Sequence, residues 1–243
     1  MQMNLSKTEI QRTEIDLKIR KKARFKKLVI WLLVDLAVAA IIFALLLYRP
    51  GRYKPADLDS GNYKRGQVSP YLTNELSPKI YNNTQRGKPF ELVITQKGLN
   101  DIITRGNWPM ESEGVLLYAP AALFVPGTVV LMGTADVKGV EFIITIELEP
   151  KIDEQGLLNL QVAKVKVGAM NITPLAKMMA KKMYLQRINA LDIDTEAVQT
   201  KIVASLLTDE PFEPVFPIDD KKVRIEKITV AKEKLLLRLV PAS

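Results

Sequence analysis

The 243-residue sequence contains neither cysteine nor histidine. Without cysteine there are no disulfides, no thiolate nucleophiles, no iron–sulfur ligands and almost no route to a zinc site. Without histidine the chain lacks the commonest general acid or base and the usual partner of a catalytic serine. It also has no glycine-rich phosphate loop and no G-x-S-x-G nucleophile elbow. We therefore predict a non-catalytic protein with no cofactor and no metal.

The most prominent feature present is an apolar stretch, residues 28–48, whose only charged residue is Asp35. A helix of this length crosses the hydrocarbon layer of a bilayer. The run KIRKKARFKK ends directly before it, so the positive-inside rule predicts that residues 1–27 are cytoplasmic and that the bulk of the chain is exported. We predict a single-pass signal anchor in a bacterial inner (cytoplasmic) membrane. The alternative is a signal peptide cleaved near Ala37-Val38-Ala39.

Asp35 is an expensive residue to place inside a membrane span. One hypothesis is that it contacts another membrane protein through the span, or serves as a proton site. The alternative is an acid that is tolerated because it is protonated or drawn toward the nearer interface.

The net charge of +8 comes mostly from the N-terminal segment. Nine of its first 27 residues are Lys or Arg, against Glu9, Glu14 and Asp16, and the remainder of the chain is close to neutral. This distribution indicates membrane topology and attraction to anionic lipid heads. It does not indicate a nucleic-acid partner.

After a polar linker at 49–67, residues 68–243 are predicted to form one exported α+β domain. Residues 140–149 alternate in the manner of a half-buried antiparallel strand, with Glu141, Thr145, Glu147 and Glu149 on one face. The predicted apolar face consists of Val140, Phe142, Ile144, Ile146 and Leu148. Phase slips at Val162-Ala163 and between Ile225 and Ile228 predict β-bulges. We expect a bent antiparallel sheet packed around one or two helices.

Two helices are predicted after the central strands, one from Thr173 and one with Asp194 as its N-cap. The first carries Met178, Met179 and Met183. Methionines line adaptable apolar surfaces, so these three residues and the apolar strand face are the candidate lipid-binding residues. Ordinary core packing is the alternative explanation.

The segments FELVITQKGLNDII and VKGVEFIITIELEPKIDEQGLLNLQVAKVKVGAMNIT resemble the exported domain of YpmS-like single-pass membrane proteins, whose function is unknown. The resemblance covers roughly residues 90–190. YpmS-like proteins in turn resemble tubular lipid-binding domains, in which a curved sheet wraps a helix over an apolar groove. The resemblance implies a lipid or apolar ligand by analogy of fold and supplies no catalytic residues.

These observations favour a membrane-anchored, extracytoplasmic domain that binds a lipid or other apolar ligand, with the bilayer itself as a partner. The alternative function is a structural or assembly factor of a cell-envelope protein complex.

Overall fold

A computed structural model describes residues 7–53, 67–112, 114–190 and 198–242 of the chain. It is an α+β structure, as the sequence predicts, and separates into two compact units, Met1–Leu45 and Leu46–Ser243. Most of the predicted linker, the predicted cap Asp194 and the first six residues of the basic segment lie outside the described residues.

The first unit is dominated by helix α1, Lys7–Leu46, which contains no glycine or proline to interrupt it. Its segment Phe25–Leu46 is long and apolar enough to cross a membrane, and none of it is buried. One such helix near the N-terminus is compatible with a single-pass anchor or with a signal sequence.

Further helices are distributed through the second unit. A π-helical turn, Leu72–Leu76, runs into α2, Ser77–Gln85, so the chain stays helical up to and past Pro78. Helix α3, Gln96–Thr104, begins as predicted at Thr95, whose hydroxyl oxygen accepts a 3.1 Å hydrogen bond from the Gly98 amide. Two more helices follow the central strands, α4 at Thr173–Ala190 and α5 at Val198–Thr208.

The described part of the second unit forms ten strands in two antiparallel sheets, where a single bent sheet was expected. In chain order they are β1 (Phe90–Thr95), β2 (Met110–Ser112), β3 (Val115–Val125), β4 (Thr128–Val137), β5 (Val140–Ile152), β6 (Leu158–Val167), β7 (Met170–Asn171), β8 (Val215–Ile218), β9 (Lys221–Ala231) and β10 (Lys234–Ala242). Strands β2 to β7 form one sheet in sequential order, and β1-β10-β9-β8 form the other. Strands β8 to β10 pair in sequence within the second sheet, and β1 joins them by pairing with the distant β10, which no local pattern could indicate.

Both phase slips in the sequence correspond to irregularities in strand pairing. Glu147 pairs with Lys164 and Leu148 with Val162, so Ala163 is an extra residue in β6. The second irregularity, between β9 and β10, leaves Glu226 as the extra residue. The apolar pattern changes phase because a bulge adds one residue to one strand and turns the following side chains to the other face. Both predictions are confirmed.

Helical side chains cover the open edges of the six-stranded sheet. On the β3 edge, the Asn100 amide group donates to the Ala122 carbonyl over 2.8 Å and accepts from the Ala122 amide over 2.7 Å. On the β6 edge, the hydroxyl oxygen of the fully buried Ser205 accepts from the Leu160 amide over 2.9 Å. These bonds satisfy backbone groups that an adjacent strand would otherwise pair with, and so protect the edges.

Candidate functional site

Pairing registers assign the side chains of the six-stranded sheet to two faces. Gly133 pairs with Ile144, and Ile144 with Val167, so all three lie on the same face. Following the registers outward, this face carries no polar or charged side chain on β3 to β6, and we call it the apolar face. Its members are Val115, Leu117, Ala122, Phe124, Val129, Leu131, Gly133, Ala135, Val137, Val140, Phe142, Ile144, Ile146, Leu148, Pro150, Ile152, Leu158, Leu160, Val162, Val165 and Val167.

The apolar face is buried at one end and partly exposed at the other. Phe124, Leu148 and Leu158 are buried, and Ile152 packs against the core of the four-stranded sheet. Toward the β4–β5 hairpin, Phe142 and Ile144 are only partly buried, and Val137 is exposed. The structure thus groups the five predicted β5 residues on one face and leaves most of them accessible.

Gly133 lies in the accessible half of the apolar face. A Cβ atom added there would have the Tyr118 carbonyl oxygen, at 3.7 Å, as its one neighbour within 4 Å. A side chain at this position would therefore meet no close obstacle at its Cβ atom. Contiguous exposed apolar surface is typical of ligand-binding grooves and of sites that bind a partner.

The predicted methionines lie on α4, which packs against β6 and α5. Met178 is 64% exposed and Met179 is 53% exposed, so neither packs in the core. The side chain of Met183 lies outside the described residues. Core packing, the alternative explanation for these methionines, is therefore wrong for Met178 and Met179.

The opposite face of the same sheet is covered in a way that the sequence did not predict. Ile143 is 2% exposed and Thr145 is 6% exposed, which makes them more buried than their apolar-face neighbours Ile144 and Ile146. Tyr53, which follows the apolar helix in sequence, packs with Ile143 and Met132 in a small hydrophobic core. The half-buried pattern of β5 did not indicate that Ile143 would be covered, which happens because part of the predicted linker folds onto this face.

Polar contacts fix this post-helix segment to the sheet. The Tyr53 hydroxyl lies 2.9 Å from the Thr134 hydroxyl oxygen, and burial raises the pKa of Tyr53 despite that hydrogen bond. Nearby, Glu141 accepts hydrogen bonds from Tyr118, at 2.5 Å, and from Arg49, with which it also forms an ion pair. The alternating pattern placed Glu141 on the polar face of β5 and gave no indication of its contacts with Arg49 and Tyr118, or of the role of Tyr53.

The tyrosine and the carboxylate in this cluster influence each other. Burial, together with the hydrogen bond to the Glu141 carboxylate, raises the pKa of Tyr118 to about 12. The same hydrogen bond from Tyr118, with the charge of Arg49, lowers the pKa of Glu141 despite partial desolvation. The cluster therefore holds a neutral phenol and an ionised carboxylate across a broad pH range.

The side chain of Asp35 is exposed on α1 and makes no hydrogen bond or ion pair with a described residue. No group of three or more acidic, His or Cys side chains within the described ranges could hold a metal ion.

Comparisons with protein-family models, with curated proteins and with solved structures gave no significant match. The resemblance to YpmS-like proteins consequently stays a prediction.

Proposed function

We propose that the chain is a membrane-anchored, non-catalytic domain that binds a lipid or another apolar ligand on the apolar face. The observation that carries the proposal is the half of that face around Gly133, where apolar side chains from four strands are only partly buried. Binding a ligand there would remove this surface from water, at about 25 cal/mol per Å² of apolar area.

The position of the domain in the chain supports the same proposal. The second unit begins at Leu46, where the membrane-crossing segment ends, so a lipid source lies within reach of the domain. In this proposal α1 is an uncleaved anchor, its basic N-terminal segment is cytoplasmic, and the domain is on the outer side of a bacterial cytoplasmic membrane.

A photoactivatable phospholipid with a diazirine on its acyl chain tests this function. The full chain is reconstituted in vesicles containing the probe, irradiated and digested, and the adducts are located by peptide mass spectrometry. Adducts on Phe25–Leu46 serve as an internal positive control, because a membrane span is labelled whether or not the domain binds lipid. We expect a second set of adducts on apolar-face residues of β4 and β5, such as Leu131 and Ile144, and labelling without adducts on these residues would refute the proposal.

Gly133→Leu offers a matched variant. Its side chain would project from the apolar face, so it should reduce labelling of the apolar-face residues of β4 and β5 while labelling of the span is unchanged. Lys164→Leu adds the same side chain at an exposed position of β6 on the opposite face and should leave both sets of adducts intact. Unfolding midpoints of the two variants verify that each is folded.

Asp35 favours a second candidate function, an assembly factor that pairs with another membrane helix. An unpaired carboxylate within an apolar span is stabilised by a polar partner in the membrane. Crosslinking in cells should then recover a complex that Asp35→Leu abolishes and Asp35→Asn largely retains. Recovery of monomer alone with the unmodified chain would eliminate this candidate.

A further inference from the structure

A cavity of about 330 Å³ lies on the face of the six-stranded sheet opposite the apolar face. We call it the Tyr48 pocket. Tyr48 and Arg52 form one side, and the floor includes Val130 and Met132 of β4. Its volume is at the lower end of the range for small-ligand sites. Because it lies on the other side of the sheet, it is separate from the site of the proposed function.

The polar groups of the pocket are incompletely paired within the protein. Thr145 lines the pocket and is 6% exposed, and its hydroxyl oxygen has no hydrogen-bond partner. A buried hydroxyl in this state is destabilising, because it has lost its hydrogen bonds to water without replacement. Lys166 and Glu147 form a 2.6 Å ion pair in the pocket wall, so their charges offset each other. Arg52 is exposed and forms no ion pair with a described residue, which leaves a positive charge at the pocket.

The position of the pocket along the chain indicates where its ligand would come from. Tyr48 and Arg52 are two and six residues beyond Leu46, the end of the membrane-crossing segment. Six extended residues span at most about 20 Å. With Phe25–Leu46 in a bilayer, that side of the pocket is held near the layer of lipid head groups, where tyrosine rings are also enriched.

We infer that the Tyr48 pocket binds the phosphate-ester head group of a membrane phospholipid. Arg52 forms a charge-assisted bond with the phosphate. Val130 and Met132 contact the glycerol backbone and the first acyl carbons. The pocket would thereby bind lipid at the surface of the membrane in which the chain is anchored.

The test uses the full chain purified in detergent and depleted of lipid. Its unfolding temperature is measured with added phosphatidylglycerol in the same micelles, and lipid retained by the protein is counted by native mass spectrometry. Phosphatidylglycerol should raise the unfolding temperature and appear as a bound adduct. Arg52→Gln should weaken binding about tenfold or more, because the charge-assisted bond to the phosphate is lost. Lys164→Gln removes one positive charge from an exposed site on the same face and should bind as the unmodified chain does.

A comparison with soluble glycerol phosphate tests whether the pocket binds a lipid or a free phosphate ester. We expect it to shift the unfolding temperature far less than phosphatidylglycerol at equal concentration, because it lacks the acyl carbons. An equal shift would refute the assignment to a lipid, and equal lipid binding by Arg52→Gln and Lys164→Gln would refute the site itself. The Gly133→Leu variant should retain the head-group effect, so failure here is distinguishable from failure of the apolar-face proposal.

Discussion

The Tyr53 hydroxyl donates a 2.6 Å hydrogen bond to the carbonyl oxygen of Ala119, a residue with a φ of +50°. Positive φ is unfavourable for alanine, because its Cβ crowds the backbone. The pairing of β3 with β4 is interrupted at this place, between Tyr118 and Ala121. Tyr53 therefore binds to the irregular part of β3 and provides a partner for a carbonyl group that the sheet leaves free.

Tyr53→Phe should destabilise the second unit. The substitution keeps the ring in the small core but removes the hydroxyl that contacts Ala119 and Thr134. Unpaired buried groups of this kind cost about 1–3 kcal/mol. Chemical denaturation of the full chain in mild detergent measures the effect. Tyr81→Phe is the control, since Tyr81 is 47% exposed, and equal midpoints for the two variants would contradict the assigned role of Tyr53.

The stabilising effect of Glu141 should depend on pH. Its pKa lies below the ordinary value of 4.5 in the folded protein, because Tyr118 donates to it and Arg49 is adjacent. The ionised carboxylate therefore stabilises the fold above pH 4.5, and this contribution is lost as the pH falls through the lower, folded pKa. Glu141→Gln should lower the unfolding midpoint at pH 7, by a modest amount because the pair is partly exposed. The difference from the unmodified chain should shrink in acid.

The exposed Glu154 provides the control for removal of a negative charge at another site. If Glu141→Gln and Glu154→Gln changed the midpoint equally at every pH, the contacts with Tyr118 and Arg49 would not account for the effect.

Local pattern was sufficient for much of the sheet. The alternation in residues 140–149 predicted β5, and the phase slip at Val162-Ala163 predicted the bulge in β6, because both depend only on which side successive residues face. The tight turn at Lys138-Gly139, between β4 and β5, is likewise a local feature of the sequence. Both residues adopt the positive φ that a tight hairpin requires.

Non-local contacts were beyond such reasoning. The segment around Tyr53 is polar and rich in glycine and proline, so it predicts a linker, yet Tyr53 binds a bulge in β3 that is 66 residues away. The four-stranded sheet likewise depends on Phe90 pairing with Leu239. For the candidate site, pattern identified the side of β5 that carries apolar residues. It could not show that Ile143 and Thr145 on the opposite side would be more buried than Ile144 and Ile146, because that depends on where the post-helix segment packs.

Asn100 should be important for the edge of β3. Its side chain makes two hydrogen bonds to the backbone of Ala122, as a neighbouring strand would. Asn100→Leu should cost about 2 kcal/mol and speed hydrogen exchange of the Ala122 amide, since both backbone groups lose their partner. Asn107→Leu is the control, because Asn107 is exposed in the following turn. Unchanged exchange at Ala122 in the Asn100 variant would show that the bonds do not protect this edge.

Gly98 should be intolerant of alanine because of Tyr71. A Cβ atom at Gly98 would lie 2.4 Å from the Tyr71 ring, whose hydroxyl accepts a 3.1 Å hydrogen bond from the Thr95 amide at the start of α3. Gly98→Ala should therefore cost about 1–3 kcal/mol, although alanine favours a helix by about 1 kcal/mol. In a Tyr71→Leu background the clash is removed, and Gly98→Ala should become neutral or stabilising. Unfolding midpoints of both single variants and the double variant measure this coupling, and strict additivity would show that the Tyr71 ring is not the obstacle.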